Sequence, residues 1–243
     1  MIETTPLLVL AELPENFDLD DLNLPENLEH ILKIRKIGNE TANLREVMLD
    51  GMSFLLRTHD IEETQGWIES ISPNFVGFTP PEIFLSSIGL SLGESIADTL
   101  HFGKINRALM LLGQYIGDAI EAVAFAWTHA DNLIGAEYFG EALDQYMTHG
   151  TFPASVQIAF KADGPGKFKT HGLSYFADQE IELVTPTDYP EKQAIEAMIR
   201  IVHDIGTNGK FDGKLSTQGK RLGEHPAFVS GNDARILQFS LLL

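Results

Sequence analysis

Residues 105–127, INRALMLLGQYIGDAIEAVAFAW, contain the two patterns that decide the fold class. In the first part, apolar residues recur every three or four positions, which is the spacing of one face of an α-helix. The stripe consists of Ile105, Leu109, Leu112, Ile116 and Ile120. It predicts a helix over about 97–121. The following AVAFAW (122–127) has no polar break, which indicates an inner β-strand covered on both faces.

A hairpin is predicted upstream of this helix. Asp50-Gly51 lies between two apolar runs, and this dipeptide favours the tight turn that joins antiparallel strands. We therefore expect strands near 45–49 and 52–58.

Further helices and strands follow from the same two periodicities. Strands are predicted at 7–13, 82–92, 155–160, 180–185 and 235–243. Helices are predicted after Pro25 (including Leu32 and Lys33), at 61–72, at 134–147, and from Pro190 to a C-terminal cap at Gly206. Mixed runs of this kind predict an α+β protein, with helices packed on largely antiparallel mixed sheets and two halves of ferredoxin-like size. The halves are 1–92, with the hairpin near 45–58, and 93–243; one continuous domain is the alternative.

Composition excludes several classes of protein. The chain has 243 residues, 44% of them hydrophobic, and no cysteine. Disulfides, thiolate nucleophiles and iron–sulfur clusters are therefore excluded. No apolar run approaches the ~18 residues of a membrane span, and the N-terminus lacks the basic region of a signal peptide. We expect a cytoplasmic protein with no membrane partner.

The chain is strongly acidic. Its 35 Asp and Glu against 17 Lys and Arg give a net charge of −18. Residues 1–82 hold 16 acidic and 5 basic side chains, so the excess is densest there. Such a surface repels phosphate backbones, so we expect no nucleic-acid partner, and it favours encounter with a basic protein. Solubility alone is the simpler explanation.

Common cofactor and nucleophile motifs are absent. Gly164-Pro165-Gly166-Lys167 lacks the spacing of a phosphate-binding loop, and no HExxH or EF-hand pattern occurs. Gly172-Leu173-Ser174-Tyr175 is not a nucleophile elbow, because Phe176 stands where the second glycine belongs. The sequence therefore predicts no cofactor.

Histidines and acids at the ends of strands are the remaining candidates for chemistry. His129 and Asp131 follow the strand 122–127, and His171 lies in a later loop. With Glu180 they form the candidate catalytic set, and His129 and His171 are the candidate metal ligands. Glu180 and Glu182 share one face of a predicted strand, where paired carboxylates can serve acid–base work. A solvated strand face produces the same alternation and is the simpler explanation.

The second half of the chain resembles a family of uncharacterised bacterial proteins, the one catalogued as domain of unknown function 4261. The resemblance rests on AIEAVAFAWTHADNLIGAEYF, GTFPASVQIAF and THGLSYFADQEIEL. Its matching positions are Trp127, Tyr138, Pro153, Thr170, Gly172, Leu173, Phe176, Glu180 and Glu182. It covers roughly residues 100–243 and implies an α+β fold and a bacterial origin, but no activity. Among these positions, Trp127, Thr170, Glu180 and Glu182 are candidate binding residues. Structural roles are the alternative: a turn with positive φ at Gly172, and capping of backbone amides by Glu180.

Three functions remain open. The first is a non-enzymatic, acidic interaction module of immunity or regulatory type that binds a basic protein. The second is a metal-assisted hydrolase using His129, Asp131, His171 and Glu180, which requires these groups to converge within about 10 Å. The third is a subunit of a homo-oligomer that pairs through an exposed strand edge.

Overall fold

The computed structural model describes residues 2, 5–22, 32–36, 43–80, 84–97, 103–208 and 236–240. These residues form an α+β structure, as the sequence predicts, with a mixed eight-stranded sheet and a smaller second sheet. The strands are β1 (Leu7–Ala11), β2 (Leu32–Lys36), β3 (Leu44–Leu49), β4 (Met52–His59), β5 (Asn74–Val76), β6 (Ser86–Leu92), β7 (Ala124–Trp127), β8 (Asn132–Gly135), β9 (Ala159–Ala162), β10 (Lys167–His171), β11 (Glu180–Val184) and β12 (Ile236–Ser240). The helices are α1 (Ile61–Ser70), α2 (Lys104–Ala119), α3 (Ala136–His149), α4 (Ala154–Gln157), α5 (Ser174–Ala177) and α6 (Glu191–Asn208). None of the helices in the described ranges is both long and apolar enough to cross a membrane.

The large sheet has the strand order β2-β3-β4-β6-β1-β7-β8-β5. Neighbouring strands are antiparallel, except for the parallel pair β5 and β8 at one edge. The predicted hairpin is confirmed, with Leu49 of β3 opposite Met52 of β4. Asp50 and Gly51 have φ angles of 48° and 78°. The type I′ turn, one of the two that fit twisted antiparallel strands, requires positive φ at both positions, which Asp tolerates and Gly adopts freely.

Both faces of the large sheet are covered. On one face α2 buries the stripe that the sequence predicts, including Leu112 and Ile116. On the opposite face α1 packs Trp67 against a smaller cluster. Phe125 belongs to the first cluster and Ala126 to the second, so the prediction that β7 is an inner strand covered on both sides is confirmed.

The second sheet consists of the antiparallel strands β9, β10 and β11, to which β12 is added in parallel. Helix α6 packs on it through Met198 and Val202, and these residues belong to the same hydrophobic cluster as Ile116 of α2. A reciprocal pair of hydrogen bonds between the buried amides of Asn106 and Gln157 joins α2 to α4, with N···O distances of 2.8 and 2.7 Å. Strand β1, from the proposed first half, pairs with β7, from the second. The division at 92/93 stays a prediction.

Three local predictions are wrong. Gly206 does not cap α6 but lies inside it, since the helix continues to Asn208. The glycine is explained by packing, because a Cβ at this position would lie 2.9 Å from the ring of Phe152. Residues 155–160 do not form one strand, since α4 takes up 154–157 and β9 begins at Ala159. Leu32 and Lys33 lie in β2 and not in a helix, because β2 is hydrogen-bonded to β3. The rest of the helix predicted after Pro25 lies outside the described residues.

Besides β2, three strands were not predicted. Strands β5, β8 and β10 have three, four and five residues. Helix α3 accordingly begins at Ala136, after β8, and not at 134. Strands this short carry little periodicity, and the strands to which they are hydrogen-bonded define them.

Candidate functional site

Three of the predicted catalytic residues lie where the ends of β7 and β10 meet. His129 and Asp131 belong to the turn that follows β7, and His171 is the last residue of β10. Asp131 has a φ of 54°, a left-handed conformation that Asp adopts more readily than most residues. Its carboxylate Oδ2 lies 3.2 Å from His171 Nε2 and 3.5 Å from Lys161 Nζ. The structure thus brings Asp131 and His171 into contact across the two sheets.

His129 and Trp127 take part in an aromatic cluster. The ring of His129 stacks on Tyr175, with centroids 4.3 Å apart. Trp127 is fully buried and stacks on Phe176 at 5.7 Å. Burial raises the pKa of Tyr175, so its hydroxyl stays protonated at physiological pH. Because its ring is enclosed, Trp127 offers no surface to a partner, and its contacts are those of a core residue.

The carboxylate of Glu180 is occupied by the turn between β10 and α5. Oε1 accepts hydrogen bonds from the backbone N–H groups of Gly172 and Ser174, each at 3.0 Å. Oε2 accepts from the Thr170 hydroxyl at 2.7 Å and from the Leu173 N–H at 3.3 Å. Four donors therefore surround one anion, and each of its oxygens is already paired. These contacts are those of a group that fixes a turn, since a general base needs a free lone pair facing substrate.

Gly172 explains why this turn can approach the turn after β7 so closely. Its φ is 98°, and a Cβ at this position would lie 2.9 Å from Ala130 Cβ and 3.0 Å from the carbonyl oxygens of Gln157 and His129. Only a glycine combines this φ with this lack of space. The positive φ and the capped amides match the structural alternative for Gly172 and Glu180.

The remaining candidates on this sheet are placed differently. Thr170 is buried, and its hydroxyl both donates to Glu180 and accepts from the N–H of Ile181 at 2.7 Å. Glu182 is half-buried and lies opposite Lys169 in the ladder between β10 and β11. The two glutamates share a strand, but Glu180 belongs to the turn and Glu182 to the sheet.

This arrangement offers few ligands for a metal ion. Across the part of the chain that the structure describes, no group of three or more histidine, aspartate or glutamate side chains is placed to hold an ion. Asp131 and His171 supply two ligands, and the ammonium of Lys161 beside them repels a cation.

Sequence reasoning missed two grooves on either side of the loop 12–17. The α2 groove has a volume of about 510 Å³ and lies between this loop and residues 119–121 at the end of α2. The α1 groove has a volume of about 720 Å³ and lies between the loop and the start of α1. Both are open clefts that share Leu13, Pro14, Glu15 and Phe17 as their common wall.

Seven carboxylates line the two grooves, and we call them the acidic surface. They are Glu12, Glu15, Asp21, Asp60, Glu62, Glu63 and Glu121. Among the described residues, no lysine or arginine lines either groove. Apolar side chains lie between the acids, including Phe17 and the half-exposed Ile61. The grooves thus combine a concentrated negative charge with apolar contact area.

A buried arginine holds the loop between the grooves in place. The guanidinium of Arg45 is almost fully enclosed and lies 2.7 Å from Asp18 and 2.8 Å from Asp20. Its hydrogen bond, with help from Lys36, lowers the pKa of Asp20 to about 2. Asp18 also caps the short turn Leu19–Asp21. Asp18 and Asp20, which face Arg45, therefore fix the loop, whereas the acids that face the grooves stay exposed to solvent.

Not every carboxylate of the acidic surface is available to a partner. Asp60 accepts a hydrogen bond from the Glu63 N–H at the start of α1, and Glu63 itself lies 3.5 Å from Arg57. Within the described residues, no ion pair engages the four exposed glutamates. These are Glu12, Glu15, Glu62 and Glu121, and we call them the free glutamates.

Comparison with known proteins adds no relative to this description. No protein-family model matches the chain, and neither the curated proteins nor the solved structures contain a match. The resemblance to domain of unknown function 4261 gains no support from these comparisons and stays a prediction.

Proposed function

We propose that this protein is a non-enzymatic interaction module that binds a basic protein through the acidic surface. The observation that carries the proposal is the lining of the two grooves: carboxylates and apolar side chains, with no lysine or arginine among the described residues. A partner that presents lysines or arginines beside apolar residues complements both features.

The physical reason is the difference between paired and unpaired charge. A carboxylate already engaged by a donor gains little from a partner, whereas the free glutamates have no ion pair within the described residues to lose when a cation approaches. The net charge of −18 adds a long-range field that steers a basic protein toward the chain at low ionic strength. The grooves then supply the apolar area that holds it.

The test compares two variants with the same net charge. The groove variant replaces the free glutamates (E12Q, E15Q, E62Q, E121Q), and the control variant replaces four exposed acids outside the grooves (E94Q, E137Q, D163N, D188N). Partners are captured from a lysate at 50 and 300 mM salt, identified, purified and titrated against each variant. A low-salt partner that is basic and binds the groove variant about tenfold more weakly, while the control variant loses less than about threefold, supports the proposal.

Two results would contradict it. One is the absence of any specific partner at both salt concentrations. The other is an equal loss of affinity in the two variants, which would show that net charge alone, and not the grooves, determines binding.

A hydrolytic activity is the second candidate, and the contact of His171 with Asp131 favours it. An aspartate 3.2 Å from an imidazole can orient the ring as a general base. The test is turnover of p-nitrophenyl acetate and p-nitrophenyl phosphate, with and without Mn²⁺ or Zn²⁺. Activity that disappears in His171→Asn, in protein of unchanged stability, would favour this candidate over the interaction module.

A further inference from the structure

A third cavity lies away from the acidic surface, between α3 and α6. Its volume is about 470 Å³, which is in the usual range for sites that bind small molecules. Residues of α3, α4 and α6 and the segment 151–153 line it. It includes none of the predicted site residues and none of the residues of the acidic surface.

The floor of this cavity is apolar and firmly packed. Phe152 is buried and makes edge-to-face contacts with Tyr146 at 6.2 Å and with Phe176 at 5.1 Å. Gly206 of α6 leaves no room between that helix and the Phe152 ring. Ile199 of α6 adds to the apolar lining. The floor is thus formed before any ligand arrives, which reduces the entropy lost on binding.

Polar groups from all three helices reach the cavity. The hydroxyl groups of Tyr138 on α3 and Ser155 on α4 lie 2.9 Å apart and share one hydrogen bond, which leaves further donor and acceptor capacity. His203 on α6 completes the lining, and burial lowers the pKa of its imidazole, so the ring is neutral at pH 7. Three separate elements thus present hydrogen-bonding groups to one space.

The charge at the rim has one sign. Glu141 and Asp144 are three residues apart on α3, so they lie on the same side of the helix. Within the described part of the chain, no lysine or arginine lines the cavity. A cation gains from this rim, and an anion is repelled by it.

We propose that this cavity binds a small organic cation, an ammonium or guanidinium group carried on an apolar or hydroxylated body. The carboxylates of Glu141 and Asp144 take the charge, and the Tyr138–Ser155 pair hydrogen-bonds to polar atoms of the body. Phe152 and Ile199 contact its apolar part. The site is separate from the acidic surface and does not depend on the function proposed for it.

The experiment uses two probes that differ only in charge. Tyramine carries an ammonium, and tyrosol has a hydroxyl in its place. We expect calorimetric titration of the full chain at 150 mM salt to show tyramine binding at least tenfold more tightly than tyrosol, a difference of about 1.4 kcal/mol.

Three variants locate the binding. Glu141→Gln with Asp144→Asn should weaken tyramine at least tenfold, because it removes the rim charge. Glu137→Gln removes an exposed charge of the same helix outside the cavity and should change the affinity less than twofold. Ala142→Trp places a large ring in the cavity and should abolish binding. The groove variant should bind tyramine like the wild type.

Several outcomes would overturn the proposal. Tyramine and tyrosol binding equally, or tyramine not binding at millimolar concentration, would exclude a cation site. Equal losses per charge removed in Glu137→Gln and in the rim variant would show that tyramine responds only to the general negative field. Circular dichroism of each variant distinguishes a loss of binding from a loss of fold. The rim variant changes only exposed side chains, so it still tests the cation site if Ala142→Trp does not fold.

Discussion

Carboxylates serve opposite purposes at two places in this molecule. At the turn after β10, Glu180 accepts four hydrogen bonds and fixes the backbone around Gly172. At the grooves, the free glutamates have no ion-pair partner among the described residues. The same functional group therefore stabilises the fold at the first place and stays available to solvent at the second.

This difference shows that the role of a carboxylate is indicated by the hydrogen-bond donors around it and not by its position in a sequence pattern. Glu180 stands two residues from Glu182, a spacing that suggests acid–base chemistry, yet both of its carboxylate oxygens already accept hydrogen bonds. The glutamates of the acidic surface belong to no motif. Four variants test this contrast, in order of decreasing expected effect.

The largest loss is expected for Glu180→Gln. The amide NH₂ of glutamine would face N–H groups that now donate to oxygen, so we expect a fall of about 2–4 kcal/mol in the free energy of unfolding. Urea denaturation measures it. Glu69→Gln, at an exposed position near the end of α1, should cost about 0.5 kcal/mol or less. Similar losses in the two variants would show that Glu180 has no special role in the turn.

Gly172→Ala should have the next largest effect. A Cβ at this φ of 98° would contact Ala130 and two carbonyl oxygens, so we expect a loss of about 2–3 kcal/mol. Gly164 has a similar φ of 105° but open space around it, and Gly164→Ala should cost only about 1 kcal/mol. The difference between the two losses isolates the close approach of Gly172 to the turn after β7. Equal losses would mean that the backbone angle alone matters.

A smaller effect concerns pH and the buried His59 on the wall of the α1 groove. Burial lowers the pKa of this histidine below its usual 6.5, against a weaker opposing influence of Glu63. As the pH falls below about 6.5, His59 becomes protonated in the unfolded chain but not in the folded one. The free energy of unfolding therefore declines until the pH reaches the pKa of the folded state. His59→Gln should make the free energy of unfolding depend less steeply on pH between pH 7 and 5. Part of the dependence should remain in this variant, because burial lowers the pKa of His203 too.

The slope is obtained from urea denaturation curves at several pH values. If the wild type and His59→Gln lose stability in parallel, the buried histidine is not the group responsible. Asp20 does not contribute in this range, because its lowered pKa of about 2 keeps it ionised and its stabilising contribution disappears only in stronger acid.

The smallest effect at any single site is expected for the groove variant. Because the free glutamates make no ion pairs within the described residues, their replacement should change the free energy of unfolding by less than about 0.5 kcal/mol at each site. The net charge falls in magnitude from −18 to −14, which reduces self-repulsion. A large loss of stability, measured by thermal unfolding beside the control variant, would mean that these acids support the fold and are not reserved for a partner.

Local patterns were enough for much of the fold. The α2 stripe, the hairpin at Asp50-Gly51 and the covered strand β7 each depend on residues close in sequence, and all three predictions hold. Strands β5 and β8 pair across more than fifty residues and have too few residues to show a period. A glycine within a helix, as at Gly206, resembles a cap until the neighbouring Phe152 is known.

The sites were less predictable than the fold. The sequence suggested that His129, Asp131 and His171 occupy loops at strand ends, but not that Asp131 and His171 touch. The grooves join residues near positions 15, 60 and 120, and the third cavity joins α3, α4 and α6. The spacing of residues along the chain does not show that these distant segments meet. Their contact follows from the order of the strands in the sheets, which could not be read from the sequence.

The two tryptophans provide an optical readout of this architecture. Trp127 lies in the larger hydrophobic cluster and Trp67 in the smaller one, on opposite faces of the eight-stranded sheet. Replacing either one with phenylalanine leaves a single indole, whose emission reports on one side of the sheet alone. Coincident denaturation midpoints for the two emitters would identify one cooperative unit, and separate midpoints would identify layers that melt independently.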